Sequence, residues 1–199
     1  MLAYILTFAR ILLAAAMAAL VAFGDTSAAL FIALLALAAM EEASDIFDGI
    51  AARRAGTASV LGGILDPLAD SLARLTIYFA LALAGWATLA VPLVMAGRDI
   101  IVSYARVVAA LSGTSTAARL SGKVKAVIQG AGIFSFIIIE WIAHASSSPT
   151  LVSTARVITT ALVIAATLWS LADYLRAAVP AARKMRGSPQ SSQRAQRAS

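Results

Sequence analysis

The sequence predicts an all-α integral membrane fold of six transmembrane helices, with both termini on the cytoplasmic side. Three observations lead there. Hydrophobic residues make up 61% of the 199 and charged residues only 13%, whereas a soluble domain carries about 25% charged residues. Mean hydropathy is +0.87, and apolar runs of about 20 residues, the length a bilayer requires, recur along the chain. Finally, among the connections between those runs only alternate ones carry Lys or Arg, as membrane topology demands.

The spans fall at roughly 2–23, 28–52, 64–84, 87–111, 124–144 and 153–176. Gly24-Asp25-Thr26-Ser27 separates the first pair, Gly85 marks the turn between the third and fourth, and Ser146-Ser147-Ser148-Pro149 separates the last pair. Gly, Ser and Pro at these points stop helices and form tight turns. Arg53 and Arg54 lie in the second connection, Arg119, Lys123 and Lys125 in the fourth, and Arg183, Lys184, Arg186, Arg194 and Arg197 in the C-terminal tail. The first, third and fifth connections hold no Lys or Arg. The even-numbered connections are therefore expected in the cytoplasm. Residues 1–177 form the expected membrane domain, and 178–199 a basic, disordered tail. The N-terminal apolar run does not read as a signal peptide, because it lacks a basic leader and Arg10 interrupts it.

The net charge of +6 follows topology rather than a nucleic-acid footprint, and with no cysteine there is neither a disulfide nor thiol chemistry. The acids are distributed differently. Six of ten fall between residues 41 and 70: Glu41, Glu42, Asp45, Asp48, Asp66 and Asp70. Asp45 and Asp48 are spaced i, i+3 and share a helix face. Asp66 and Asp70, spaced i, i+4 on the following helix, share one too. Across a short cytoplasmic connection the four carboxylates can converge on one polar pocket just inside the bilayer. Each Asp at a helix centre costs about 2.5–3.5 kcal/mol to insert, and four together repel. Divalent cations offset both terms, and an oxygen-only set without His or Cys favours Mg²⁺, Mn²⁺ or Ca²⁺ over zinc. Four acids suggest two ions, an arrangement suited to in-line displacement at phosphorus. Gly49 and Ala52 let a flat group approach the helix, Arg53 can pair with a diphosphate, and Gly62 or Gly63 permits close helix approach. A buried charge network or a set of helix caps is the alternative for these acids.

The string Asp48-Gly49-x2-Ala52-Arg53-x8-Gly62-x3-Asp66-x3-Asp70, with Asp45 upstream, resembles the signature of the CDP-alcohol phosphatidyltransferase family. The resemblance implies a six-helix homodimer with two Mg²⁺ or Mn²⁺ ions held by Asp45, Asp48, Asp66 and Asp70, the last also acting as general base. It implies a CDP-binding surface at Gly49, Ala52, Arg53 and Gly62, and an integral membrane enzyme of the bacterial inner membrane with its site facing the cytoplasm. CDP-diacylglycerol is the implied donor and CMP the leaving group.

Gly97-Arg98-Asp99 through Arg106, Gly122-Lys123-x-Lys125-x3-Gln129, Leu6-Thr7-x2-Arg10 and Trp169-Ser170-x3-Tyr174-Leu175 are similar to segments of the family's glycerophosphate-using members. Arg98, Arg106, Lys123 and Lys125 are the expected holders of an acceptor phosphate, as sn-glycerol 3-phosphate would bring. Against that, Lys123 and Lys125 also serve as topology markers, and Arg98 beside Asp99 can form a local ion pair. Ser71 stands where the family often has Lys, with Arg74 one turn later, and Ser44 where Thr is common. Inositol phosphate would use the same kind of basic pocket; serine, choline or phosphatidylglycerol would need it less. A non-enzymatic cation channel or transporter would explain the acids but not Ala52, Arg53 and Gly62 at their spacings. Glu41, four residues before Asp45, reads equally as support for the acidic pocket or as an interface residue. His144 has no assigned role, and Trp86, Trp141 and Trp169 read as interface anchors or packing.

Overall fold

The computed structural model describes residues 2–55, 62–111, 120–145 and 148–187; within these, the side chains of 2–7, 45–55, 62–66 and 180–187 lie outside the described residues. Among the described residues there are six α-helices: α1 Leu2–Phe23, α2 Ala28–Ala55, α3 Gly62–Leu83, α4 Ala90–Leu111, α5 Leu120–Ala145 and α6 Pro149–Gly187. The expected starts and ends hold to within four residues for the first five. By length and hydropathy, α5 and the Pro149–Val179 part of α6 are able to cross a membrane, and Phe8–Phe23 is a shorter apolar helix. Ionisable residues interrupt α2, α3 and α4.

Helix ends follow local chemistry. Ser27 caps α2, its hydroxyl accepting the Leu30 amide at 3.2 Å. α3 ends in a Schellman turn: Gly85 takes φ +79°, its amide donates to the Ala82 carbonyl, and the Trp86 amide donates to Leu81 at 2.9 Å. Pro149 opens α6, where the missing amide hydrogen costs nothing. At its other end α6 runs on to Gly187. The first ten residues of the segment expected to be a disordered tail therefore continue the helix, consistent with the helix-favouring Ala, Arg, Lys and Met between 177 and 186.

Among the described residues the helices pack in a closed circuit, α1–α3–α4–α6–α5–α2 and back to α1, with α3 also meeting α5 across it. The helices joined by tight turns (α1–α2, α3–α4, α5–α6) are neighbours. In the described residues α2 rests on α1 and α5 and meets α3 through the ion pair of Glu42 with Arg74. An apolar core fills the turn end: Phe31 of α2 stacks on Trp141 of α5 at 5.9 Å and tilts against Trp86 at 5.8 Å and His144 at 5.7 Å. Trp86 is buried packing, whereas Trp169 faces outward. Tyr78, fully buried, meets Phe136 edge-on at 6.2 Å and donates its hydroxyl to the Gln129 carbonyl at 2.7 Å. Glu140 pairs with Arg156 and His144 near this aromatic end, and the other ionisable clusters lie elsewhere along the helices.

Candidate functional site

Among the described residues, two polar clusters stand apart from the Glu140–Arg156–His144 group at the α5–α6 turn. The first centres on α3. Asp70 and Arg74, one turn apart, face inward: Arg74 is 3% exposed and the Asp70 carboxylate 31%. Arg74 Nε stands 3.5 Å from Asp70 Oδ1. The far end of the same guanidinium meets Glu42 of α2 at 3.0 and 3.2 Å and donates to the Ala126 carbonyl of α5 at 3.1 Å. Arg10 of α1, also buried, approaches the same Asp70 oxygen at 3.6 Å. One guanidinium thus ties three helices, and a second brings in α1. Glu41, 2% exposed, lies beside this network. Glu42 sits over Gly130 of α5, where a methyl group would come within 2.5 Å of its carboxylate; only glycine lets the helices approach this closely.

The second cluster joins α4, α5 and α6. Arg98, 7% exposed, donates to Asp99 at 2.7 Å and to the Ser170 hydroxyl at 2.9 Å. Lys125 reaches the same Asp99 oxygen at 3.6 Å, and Ser71 is within hydrogen-bonding reach of Asp99. Tyr174 lies under both Arg98 and Arg106, whose guanidinium carbons stand 5.2 and 5.4 Å from its ring centre; its hydroxyl accepts from Arg106 at 3.1 Å. The Ser121 hydroxyl donates to Asp173 at 2.5 Å.

The residues singled out in the sequence divide accordingly. Asp45, Asp48, Gly49, Ala52 and Arg53 are on the α2 backbone, and Gly62 and Asp66 on that of α3; their side chains lie outside the described residues. Arg119 and the 56–61 connection lie wholly outside them. Asp70 faces Arg10 and Arg74. Of the four expected phosphate holders, Arg98 and Lys125 are buried and share Asp99, while Arg106 and Lys123 are exposed. Long-range partnerships such as Arg10 with Asp70, Glu42 with Arg74, Arg98 with Ser170, and Glu140 with Arg156 across the α5–α6 turn leave little trace in the sequence. The one signal available was a lone charge within an apolar run.

Among the described residues no three His, Cys, Asp or Glu side chains gather into a metal site, since three of the four acids have side chains outside them. What is described of Asp70 fits a hard cation. Its carboxylate is 31% exposed, which leaves it reachable beyond the oxygen that Arg10 and Arg74 approach, and all the expected donors are oxygens, as Mg²⁺ or Mn²⁺ prefers.

The model of one protein family, CDP-alcohol phosphatidyltransferase, matches residues 1–169. No curated protein gives a significant match to the chain.

Proposed function

The chain belongs to the CDP-alcohol phosphatidyltransferase family, and from that premise we propose that it transfers a phosphatidyl group from CDP-diacylglycerol to sn-glycerol 3-phosphate and releases CMP. The family consists of phosphotransferases that move a phosphatidyl group from a CDP-alcohol in phospholipid synthesis and use divalent metal ions. That match, covering 169 of 199 residues, is the observation that carries the reading.

In the proposed mechanism Asp45, Asp48, Asp66 and Asp70 hold two divalent cations, Mg²⁺ or Mn²⁺. When bound, these would neutralise the diphosphate and the charge developing on it. Gly49, Ala52, Arg53 and Gly62 line the CDP portion, with Arg53 paired to the diphosphate. The acceptor enters from the cytoplasm, and its phosphate meets the exposed Arg106 and Lys123 first. Arg98 and Lys125 shape the floor of that subsite through Asp99. Asp70 takes the proton from the primary hydroxyl, the freed oxygen attacks the phosphatidyl phosphorus in line, and the bond to CMP breaks. We place all six helices across the bacterial inner membrane, with both termini and the site cytoplasmic, in a homodimer.

The acceptor is the part most open to test, because Asp99 already engages two of the four cations expected to hold its phosphate. The experiment is CMP release by purified protein with CDP-diacylglycerol and Mg²⁺, comparing glycerol 3-phosphate with inositol phosphate, serine, choline and phosphatidylglycerol. Release with glycerol 3-phosphate alone supports the whole reading. Release with another alcohol keeps the chemistry and replaces the acceptor; no release with any of them overturns the proposed turnover.

A further inference from the structure

Asp70 is approached by two cations, and both fall on one of its oxygens. Arg10 lies 3.6 Å and Arg74 Nε 3.5 Å from Oδ1. Arg74 has little freedom to leave: it is 3% exposed, its distal nitrogens are engaged by Glu42 at 3.0 and 3.2 Å, and it donates to the Ala126 carbonyl at 3.1 Å. Glu42 in turn is seated on Gly130, with no room for a methyl group between them. Asp70 Oδ1 and Arg74 Nε are nonetheless both buried without a hydrogen-bond partner, so charge rather than a made hydrogen bond couples them. Buried polar atoms left in that condition call for an explanation.

We propose that Arg74, clamped by Glu42, is a positioning residue that ties Oδ1 of Asp70 and leaves Oδ2 as the oxygen that meets cation and acceptor hydroxyl. This rests on the function proposed above and assigns roles to two residues outside the acidic signature. A carboxylate with one oxygen tied cannot grip a cation with both. It presents its other oxygen in a fixed position, which keeps the acceptor hydroxyl oriented for attack. The arrangement weakens cation binding, since a guanidinium beside the ligand repels a divalent ion. Removing Arg74 deletes that repulsion, while Arg10 still stands 3.6 Å from Oδ1 but without the clamp that Glu42 gives Arg74. Cation binding and turnover therefore move in opposite directions, which mere structural damage would not produce.

The test uses the full-length chain in lipid nanodiscs as wild type, Arg74→Met, Arg74→Lys and Glu42→Gln. Mn²⁺ binding is read by the electron paramagnetic resonance signal of free Mn²⁺, and kcat and KM by CMP release. Arg74→Met is expected to bind Mn²⁺ severalfold more tightly while kcat falls about tenfold or more, with KM for CDP-diacylglycerol little changed. Arg74→Lys keeps the charge but cannot span Asp70, Glu42 and the carbonyl at once, so its Mn²⁺ affinity stays near wild type while kcat falls. Glu42→Gln lowers kcat in the same way, to a smaller extent. Unchanged or weaker Mn²⁺ binding by Arg74→Met, or an unchanged kcat, overturns the proposal. If Arg74→Met does not fold, unchanged kcat in both Arg74→Lys and Glu42→Gln overturns it instead. The Mn²⁺ measurement needs no turnover: a wild type that releases no CMP refutes the proposed reaction, while tighter Mn²⁺ binding by Arg74→Met still supports the Arg74–Asp70 coupling.

Discussion

At the scale of single residues, burial separates side chains of the same charge into different roles. Arg98 and Lys123 carry the same charge and were both expected to hold a phosphate, yet one is enclosed by Asp99 and Ser170 and the other is exposed. Removing one partner of a buried ion pair leaves an uncompensated charge and costs about 3–5 kcal/mol. Arg98→Met should therefore lower the melting temperature in detergent markedly. Lys123→Ala should leave melting unchanged and raise KM for the phosphorylated acceptor; a destabilised Lys123→Ala would contradict this division. Asp70 is the sharper case. Asn retains the shape but neither the charge nor the basicity, so Asp70→Asn should cut kcat for CMP release by about 10²–10⁴-fold. Wild-type turnover by that variant would remove Asp70 from the role of general base.

At the scale of the helices, glycine acts in two distinct ways. Gly85 sits at φ +79° with open space around it, so Gly85→Ala pays only in backbone energy, about 1 kcal/mol. Gly130 has the opposite problem: its backbone is ordinary helix, but a methyl group there would meet the Glu42 carboxylate. Because Arg74 holds Glu42, the strain cannot be relieved by rotating one side chain. Gly130→Ala should cost about 1–3 kcal/mol and should also slow turnover, whereas Gly85→Ala should leave turnover intact. Thermal melts and CMP release on the two variants give the comparison. Equal effects on turnover would mean that the α2–α5 contact does not reach the Asp70 cluster.

At the scale of the molecule, the circuit of helices keeps the Asp70 and Asp99 clusters apart from the Glu140–Arg156 pair at the α5–α6 turn. The absence of cysteine makes the proposed orientation directly measurable. A cysteine at Thr26, in the first turn, should react with a membrane-impermeant maleimide on intact cells. One at Ser188, after the last helix, should react only once the cells are permeabilised. The reverse pattern would invert the topology and put the Asp70 cluster on the wrong side for a cytoplasmic acceptor. Chelating divalent ions should abolish CMP release, and Mg²⁺ or Mn²⁺ should restore it; release that survives chelation would exclude the two-cation mechanism.

Helix number, turn positions and the acidic signature were legible in the sequence because each depends on neighbouring residues. A run of apolar side chains about 20 residues long, a Gly or Ser-Pro break, and Asp at i, i+3 and i, i+4 are local facts. The continuation of α6 to Gly187 is hidden in the sequence because its basic residues resemble a solvated tail, although Ala, Arg and Lys favour helix. Partnerships across the bundle were beyond local reading. Arg10 and Asp70 are 60 positions apart, Glu42 and Arg74 are 32, and Arg98 and Ser170 are 72. Which charge meets which depends on how the helices are ordered around the circuit, and hydropathy says that a helix is buried without saying against what. The helices and the family signature are readable along the chain. Only the tertiary structure decided that Arg74 and Arg10 share one oxygen of Asp70, because an ion pair in a low-dielectric interior forms where packing brings two charges within a few ångströms, whatever their separation along the chain.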